Sequence, residues 1–141
     1  MDNYSMKEIG SEYWLKDITS SKTSDRPHFL SSFNNIVFTT TGRGALSLML
    51  DTVEKKVLSK NVLLPAYICE SVIQPFYDRG YNCLFYDIND NLNLSIDIKD
   101  YESKKIGIFL HLGYFGFPTN ANIKNQIQIL KSNGTFIVED I

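Results

Sequence analysis

Ile106-Gly107-Ile108-Phe109-Leu110-His111-Leu112 is the stretch that decides the fold. It is apolar almost throughout rather than alternating. A strand reads this way when both of its faces are buried in a parallel sheet. Working outward, other short runs read as strands of the same sheet. Ile36-Val37-Phe38-Thr39-Thr40 is β-branched and aromatic and predicts one. Asn61-Val62-Leu63-Leu64, closed by Pro65, predicts a second. Asn82 to Ile88 predicts a third, with Cys83, Phe85 and Asp87 on one face and Leu84, Tyr86 and Ile88 on the other. Thr135-Phe136-Ile137-Val138 predicts the last and delivers Glu139 and Asp140 at its C-terminal end.

Helical periods lie between these runs. Ala45, Leu46, Leu48, Met49, Leu50, Val53 and Val57 follow Thr41-Gly42-Arg43-Gly44 at the spacing of a helix buried on a wide face. A second helix is predicted from about Glu70 to Arg79, with Gly80 in the C-cap position. Pro75 inside it predicts a kink or a late start. Asn89 to Asn93 is turn-like. Ile123, Ile127 and Leu130 stand at i, i+4 and i+7 on a third helix, which Asn133-Gly134 ends. Strands alternating with helices predict an α/β fold: a mostly parallel sheet with flanking helices and right-handed crossovers. Sites in such sheets lie beyond the C-terminal ends of the strands.

Composition narrows the class. The 141 residues are one domain's worth, and 43% of them are hydrophobic, enough to build a core. A net charge of -2 argues against a basic nucleic-acid-binding surface. No apolar run approaches the roughly 18 residues of a membrane span. The start, Met1 to Glu8, lacks the apolar stretch of a signal peptide, so a cytoplasmic location is expected. Cys69 and Cys83 form no CxxC pair and no zinc spacing, so neither a metal site nor a disulfide-built fold is expected. The first 35 residues are rich in Ser, Asp, Lys and Thr, with Tyr4, Tyr13, Trp14, Phe29 and Phe33 scattered among them. They read as an N-terminal arm, with a solvated loop at Thr19 to Asp25, and residues 36–141 read as the domain. The sequence stops at Ile141, directly after an acidic pair that ends a buried strand. It is therefore expected to be the N-terminal part of something longer.

Four places carry candidate chemistry. In Thr41-Gly42-Arg43-Gly44-Ala45, two glycines permit a tight turn and a helix start presents free amides to an anion. This is neither a Walker A loop nor a full GxGxxG, and a plain strand-to-helix turn has the same wording. Asp140, preceded by Glu139, sits at a strand's C-terminal end, where it can hold a metal, a ribose hydroxyl or a protonated ring nitrogen, or be simply solvated. His111 ends a strand before Gly113-Tyr114-Phe115-Gly116-Phe117-Pro118 and reads either as a rim histidine or as a site residue. Pro65-Ala66-Tyr67-Ile68-Cys69-Glu70 offers an aromatic that can stack on a planar ligand. Together they describe a site for a flat, phosphorylated, nitrogen-containing ring.

The ordered set of Thr41 to Leu46, Leu63 to Phe76, Phe85 to Ile88, Leu110 to Asn120 and Phe136 to Ile141 resembles a known family. It is similar to the N-terminal half of the large domain of the DegT/DnrJ/StrS aminotransferases, fold-type-I pyridoxal-phosphate enzymes, many of them amino-sugar synthases. The resemblance covers residues 36–141. It implies pyridoxal 5'-phosphate as cofactor, an amino acid as donor, a keto-sugar or similar carbonyl as acceptor, and a homodimer. Carried over, Gly42, Arg43 and Gly44 match the turn that holds the cofactor phosphate, with Arg43 and Gly44 in place of small polar residues. Asp140 matches the acid that pairs with the pyridine nitrogen and keeps it protonated. His111 matches a histidine near the ring, and Tyr67 is the available stacking aromatic. The family's Schiff-base lysine lies downstream of the Glu-Asp pair. Lys55, Lys56, Lys60, Lys99, Lys104, Lys105, Lys124 and Lys131 fall on predicted helix surfaces or loops. The resemblance thus implies no catalytic residue in this chain, which alone is expected to be inactive. The alternative is a non-catalytic α/β module that binds a phosphate ligand or a partner, a truncated relic. A Rossmann-like nucleotide domain is the third reading, and the lack of a clean GxGxxG speaks against it.

Overall fold

The computed structural model describes residues 35–116 and 123–140. The arm expected over residues 1–35, with its loop at Thr19 to Asp25, and the loop from Phe117 to Asn120 lie almost wholly outside the described residues. The chain divides into two compact units, Met1–Val37 and Phe38–Ile141. The second is the α/β unit.

Its elements are α1 (Gly42–Val53), β1 (Asn61–Pro65), α2 (Glu70–Tyr77), β2 (Asn82–Ile88), β3 (Leu94–Ser95), a 3-10 helix (Ile98–Lys104), β4 (Ile108–Leu112), a 3-10 turn (Tyr114–Gly116), α3 (Ile123–Ser132) and β5 (Phe136–Asp140). The five strands form one sheet in the order β3-β2-β1-β4-β5. All neighbours are parallel except β3, which runs antiparallel to β2. Val62 stands opposite both Cys83 and Ile108, and Leu112 stands opposite Asp140.

Two apolar layers sandwich the sheet. On one face Val62, Leu64, Ile108 and Leu110 meet Leu46, Met49, Leu50 and Val53 of α1 and Val72, Ile73 and Phe76 of α2. On the other, Leu63, Tyr86 and Phe109 meet Ile123, Ile127 and Leu130 of α3 and Ile98 and Tyr101 of the 3-10 helix. Central strands buried on both faces explain the continuous apolar run of β4 and of β1.

The helix ends follow local chemistry. Thr41 caps α1 in extended geometry, its side-chain oxygen accepting from the Gly44 amide at 3.0 Å. Gly80 closes α2 with φ +70°. The Tyr81 amide bonds the Phe76 carbonyl and the Gly80 amide bonds the Tyr77 carbonyl, the paired bonds of a Schellman turn. Gly134 closes α3 in the same way, through Thr135 to Leu130 and Gly134 to Lys131. Pro75 sits inside α2 without delaying its start.

One expected strand is corrected. Ile36 to Thr40 forms no strand: the backbone there joins no ladder, and Val37 and Phe38 are 70% and 76% exposed. β-branched composition favours an extended chain, but a strand exists only where a neighbour offers its edge. The helix α1 therefore starts from an extended segment rather than from a sheet strand. Two smaller differences are the start of β4 at Ile108 rather than Ile106, and the short strand β3, which the turn at Asn89 to Asn93 folds back onto β2.

Candidate functional site

Strand order reverses between β1 and β4. From β1 the chain passes through α2 to β2 on one side, and from β4 it passes through α3 to β5 on the other. Because α2 and α3 lie on opposite faces, a crevice opens at the C-terminal ends of the strands.

A cavity of about 580 Å³ lies at that end, on the α1–α2 face. Its walls come from the start of α1 (Thr41, Gly42, Arg43), the start of α2 (Ser71, Val72) and the end of β5 (Val138, Glu139, Asp140), with Leu46 and Met49 as an apolar floor. The volume falls in the ordinary range of ligand sites. The first bond inside α1 is from the Ala45 amide to the Thr41 carbonyl, so the Gly42 and Arg43 amides precede the hydrogen-bonded ladder. They carry the positive end of the helix dipole toward the cavity mouth. A Cβ added at Gly42 would meet nothing within 4 Å, so the helix start opens on free space. Gly44 is different: its amide is taken by the Thr41 cap, and an added Cβ would press on Thr41 Oγ1 at 3.2 Å. Gly44 shapes the turn and Gly42 faces the opening.

Asp140 pairs in register with Leu112, and its carbonyl accepts from the Gly113 amide at 2.7 Å. That bond fixes the end of β5. Parallel partners share a face, so Asp140 lies with Leu112 on the α1–α2 side of the sheet. His111 and Glu139 are partners one step earlier and lie on the opposite face. The structure thus brings Gly42, Arg43 and Asp140 into one cavity, with Gly44 supporting the turn. It places the His111 side chain on the α3 side, buried against the Phe109 ring. His111 Nε2 is 3.7 Å from Glu139 Oε1, and among the described residues its Nδ1 has no hydrogen-bond partner. Burial pushes the imidazole pKa below its ordinary value, and the Glu139 carboxylate opposes that shift.

Tyr67 also stands apart from the cavity wall. It is 61% exposed beyond β1, with its ring 5.7 Å from that of Tyr114. The Tyr114 hydroxyl donates to the Tyr67 carbonyl at 2.6 Å and ties the loops after β1 and β4 together across the crevice. Phe115 follows with φ +56° and a 75% exposed ring.

Sequence reasoning missed Ser71. Its signal was position: it stands in the first turn of a helix that leaves a strand at the binding edge. The Cys69 Sγ lies 2.8 Å from Ser71 Oγ, and that hydrogen bond, ahead of opposing burial and of backbone contacts, draws the thiol pKa down. Among the described residues, no lysine lines the cavity and no cluster of three metal-ligating side chains occurs. A cavity of about 640 Å³ lies at the other ends of the strands, among Leu58, Ile98, Tyr101, Lys105, Asn133 and Thr135. It gathers one amine and no carboxylate, and it sits away from the edge where α/β sheets bind ligands.

No protein-family model matches this sequence, and no curated protein matches it. Among the described residues, no helix is long and apolar enough to cross a membrane.

Proposed function

We propose that this chain is the cofactor-holding part of a pyridoxal-phosphate-dependent aminotransferase of the sugar type, with the large-domain architecture of fold type I. One observation carries the reading: a single cavity is lined both by Gly42 and Arg43 at the start of α1 and by Asp140 at the end of β5, from opposite ends of the described chain. The two walls suit the two ends of one ligand. The helix start and the Arg43 guanidinium favour a phosphate dianion. Asp140 favours a protonated ring nitrogen, and Leu46, Met49, Val72 and Val138 offer an apolar bed for the ring between them. When bound, pyridoxal phosphate supplies the electron sink on which amino-group chemistry depends.

The residues of this chain bind and orient; none of those lining the cavity is a lysine. Covalent attachment and amino transfer from an amino acid to a keto-sugar carbonyl are therefore assigned to parts of the enzyme other than this cavity. The chain alone holds the cofactor reversibly and is inactive. A homodimer and a cytoplasmic location belong to the same reading.

Titration with pyridoxal phosphate, followed by its absorbance and by quenching of protein fluorescence, tests it. Saturable binding is expected, in preference to NAD and ATP. Asp140→Ala should weaken it at least tenfold, on the order of the 1.5–3 kcal/mol of a charged hydrogen bond. Borohydride should trap no cofactor on a residue of the cavity, since among the described residues no lysine lines it. Equal binding of NAD, or indifference to Asp140→Ala, would overturn the assignment.

A further inference from the structure

The glycine turn of this chain offers a phosphate backbone amides and a guanidinium but only the capping hydroxyl of Thr41, which is already engaged with the Gly44 amide. The cavity supplies a hydroxyl from elsewhere. Ser71 lines it from the first turn of α2, together with Gly42 and Arg43 of α1. Among the described residues, its Oγ has one side-chain hydrogen-bond partner, the Cys69 Sγ at 2.8 Å, and either atom can be the donor. A serine hydroxyl has one proton to donate and two lone pairs to accept with. If the Cys69 thiol donates to Ser71 Oγ, the serine proton is free to point into the cavity.

We propose that Ser71 is the hydroxyl donor to the cofactor phosphate, held in that role by a Cys69 S–H···Oγ hydrogen bond. This rests on the pyridoxal-phosphate reading above and adds a binding residue to it. The chemistry is a relay of two donors: Cys69 to Ser71, Ser71 to a phosphate oxygen. No bond to a heavy atom forms or breaks, and the phosphate remains a dianion. Arg43 provides the charge on the same side, and Asp140 stands at the β5 end of the cavity, on the same face of the sheet. The phosphate therefore belongs at the helix-start end and not beside the strand end.

The relay has a signature that a packing role for Ser71 would not give. In the free protein, Ser71 donating to sulfur favours the thiolate, in keeping with the lowered thiol pKa. Once Ser71 donates to a phosphate, Cys69 must become the donor and keep its proton. Bound phosphate then slows thiolate chemistry at Cys69. Cys69 is exposed, and Cys83 is half-buried with its pKa raised by burial, so the two thiols are kinetically separable.

Two measurements on the full chain test this. The first is the rate of iodoacetamide alkylation of Cys69, read by peptide mass analysis, with and without saturating inorganic phosphate. At least a threefold slowing is expected in the parent protein and none in Ser71→Ala; equal rates with and without phosphate would overturn the relay. The second compares pyridoxal phosphate with pyridoxal, which lacks the phosphate. Ser71→Ala should lose about tenfold or more in affinity for the phosphorylated form, as expected for a hydrogen bond to a charged group, with no loss for pyridoxal. Ser71→Thr should restore it. Equal losses for both ligands would mean that Ser71 only shapes the cavity. If inorganic phosphate protects Cys69 while pyridoxal phosphate binds no better than phosphate, the relay stands and the aminotransferase reading fails.

Discussion

His111 shows how much one position can change between a sequence and a fold. Strand alternation separates it from Asp140 by placing the two on opposite faces of the sheet, although both sit at strand ends. His111 is 4% exposed and its Nδ1 finds no partner among the described residues, so the neutral form is the one the fold accepts. The sign of the pH effect follows. Burial lowers the folded pKa below the unfolded value, and the nearby Glu139 carboxylate only partly offsets it. Below about pH 6.5, the ordinary histidine value, the unfolded chain binds a proton that the folded one resists. Stability contributed by the neutral ring is complete above that pH and is lost as pH falls toward the folded pKa. Urea unfolding at pH 7.5 and at pH 5 should show a drop that His111→Gln reduces and Glu139→Gln enlarges. A drop identical in all three proteins would mean that other groups dominate the acid limb. The role proposed for Asp140 is toward a ligand: Asp140→Asn should keep its denaturant midpoint and bind pyridoxal phosphate more weakly, which urea unfolding and a binding titration measure.

The helices and inner strands were legible because each satisfies its own chemistry locally. The α2 stop at Gly80, the α3 stop at Gly134 and the alternation across β2 are written in glycines and in period-two polarity. Two features were not legible. Ile36 to Thr40 has strand wording without a strand neighbour, and pairing is a property of the partner as much as of the segment. The cavity wall at Ser71 required knowing that the starts of α1 and α2 meet, which no spacing in the chain encodes. Gly107 was another silent position. It reads as one residue of an apolar run, yet it precedes β4 where the Ser59 backbone crosses so closely that an added Cβ would overlap the Ser59 carbonyl oxygen. Its amide bonds the Asn61 carbonyl and its carbonyl accepts from the Phe136 amide, tying β1 and β5 to the same point. Gly107→Ala should therefore cost about 2 kcal/mol or more, in the range of overpacking a core. Gly80→Ala has open space around it and strains only the backbone, at φ +70°, so about 1 kcal/mol is expected. Denaturant midpoints at unchanged m-value measure both. A Gly80 variant as damaging as the Gly107 variant would contradict the steric argument.

At the scale of the whole molecule, the cavity exists only when the sheet is complete. Its α1 wall and its β5 wall come from the two ends of the α/β unit, and the strands between them, β1 and β4, are buried on both faces. Neither wall alone positions a ligand at both ends, so the unfolded chain should have no affinity to compete with the folded one. Ligand binding is then linked directly to global unfolding. At a hundredfold excess over Kd, pyridoxal phosphate should stabilise the fold by about 2.7 kcal/mol. For a unit of this size that corresponds to a Tm rise of about 10 °C or more, since each kcal/mol is worth roughly 4–8 °C. The two walls make the shift divisible. Under the proposed reading pyridoxal should engage only the Asp140 end and inorganic phosphate only the helix-start end, so at matched concentration each should raise Tm by less than pyridoxal phosphate. In Asp140→Ala the shift with pyridoxal should vanish while the shift with phosphate survives, because the two subsites lie on different elements. If phosphate and pyridoxal shifts are both lost in Asp140→Ala, the helix start does not bind independently and the two-ended cavity is wrong. Retention of both would instead remove Asp140 from the site while leaving the helix-start wall intact.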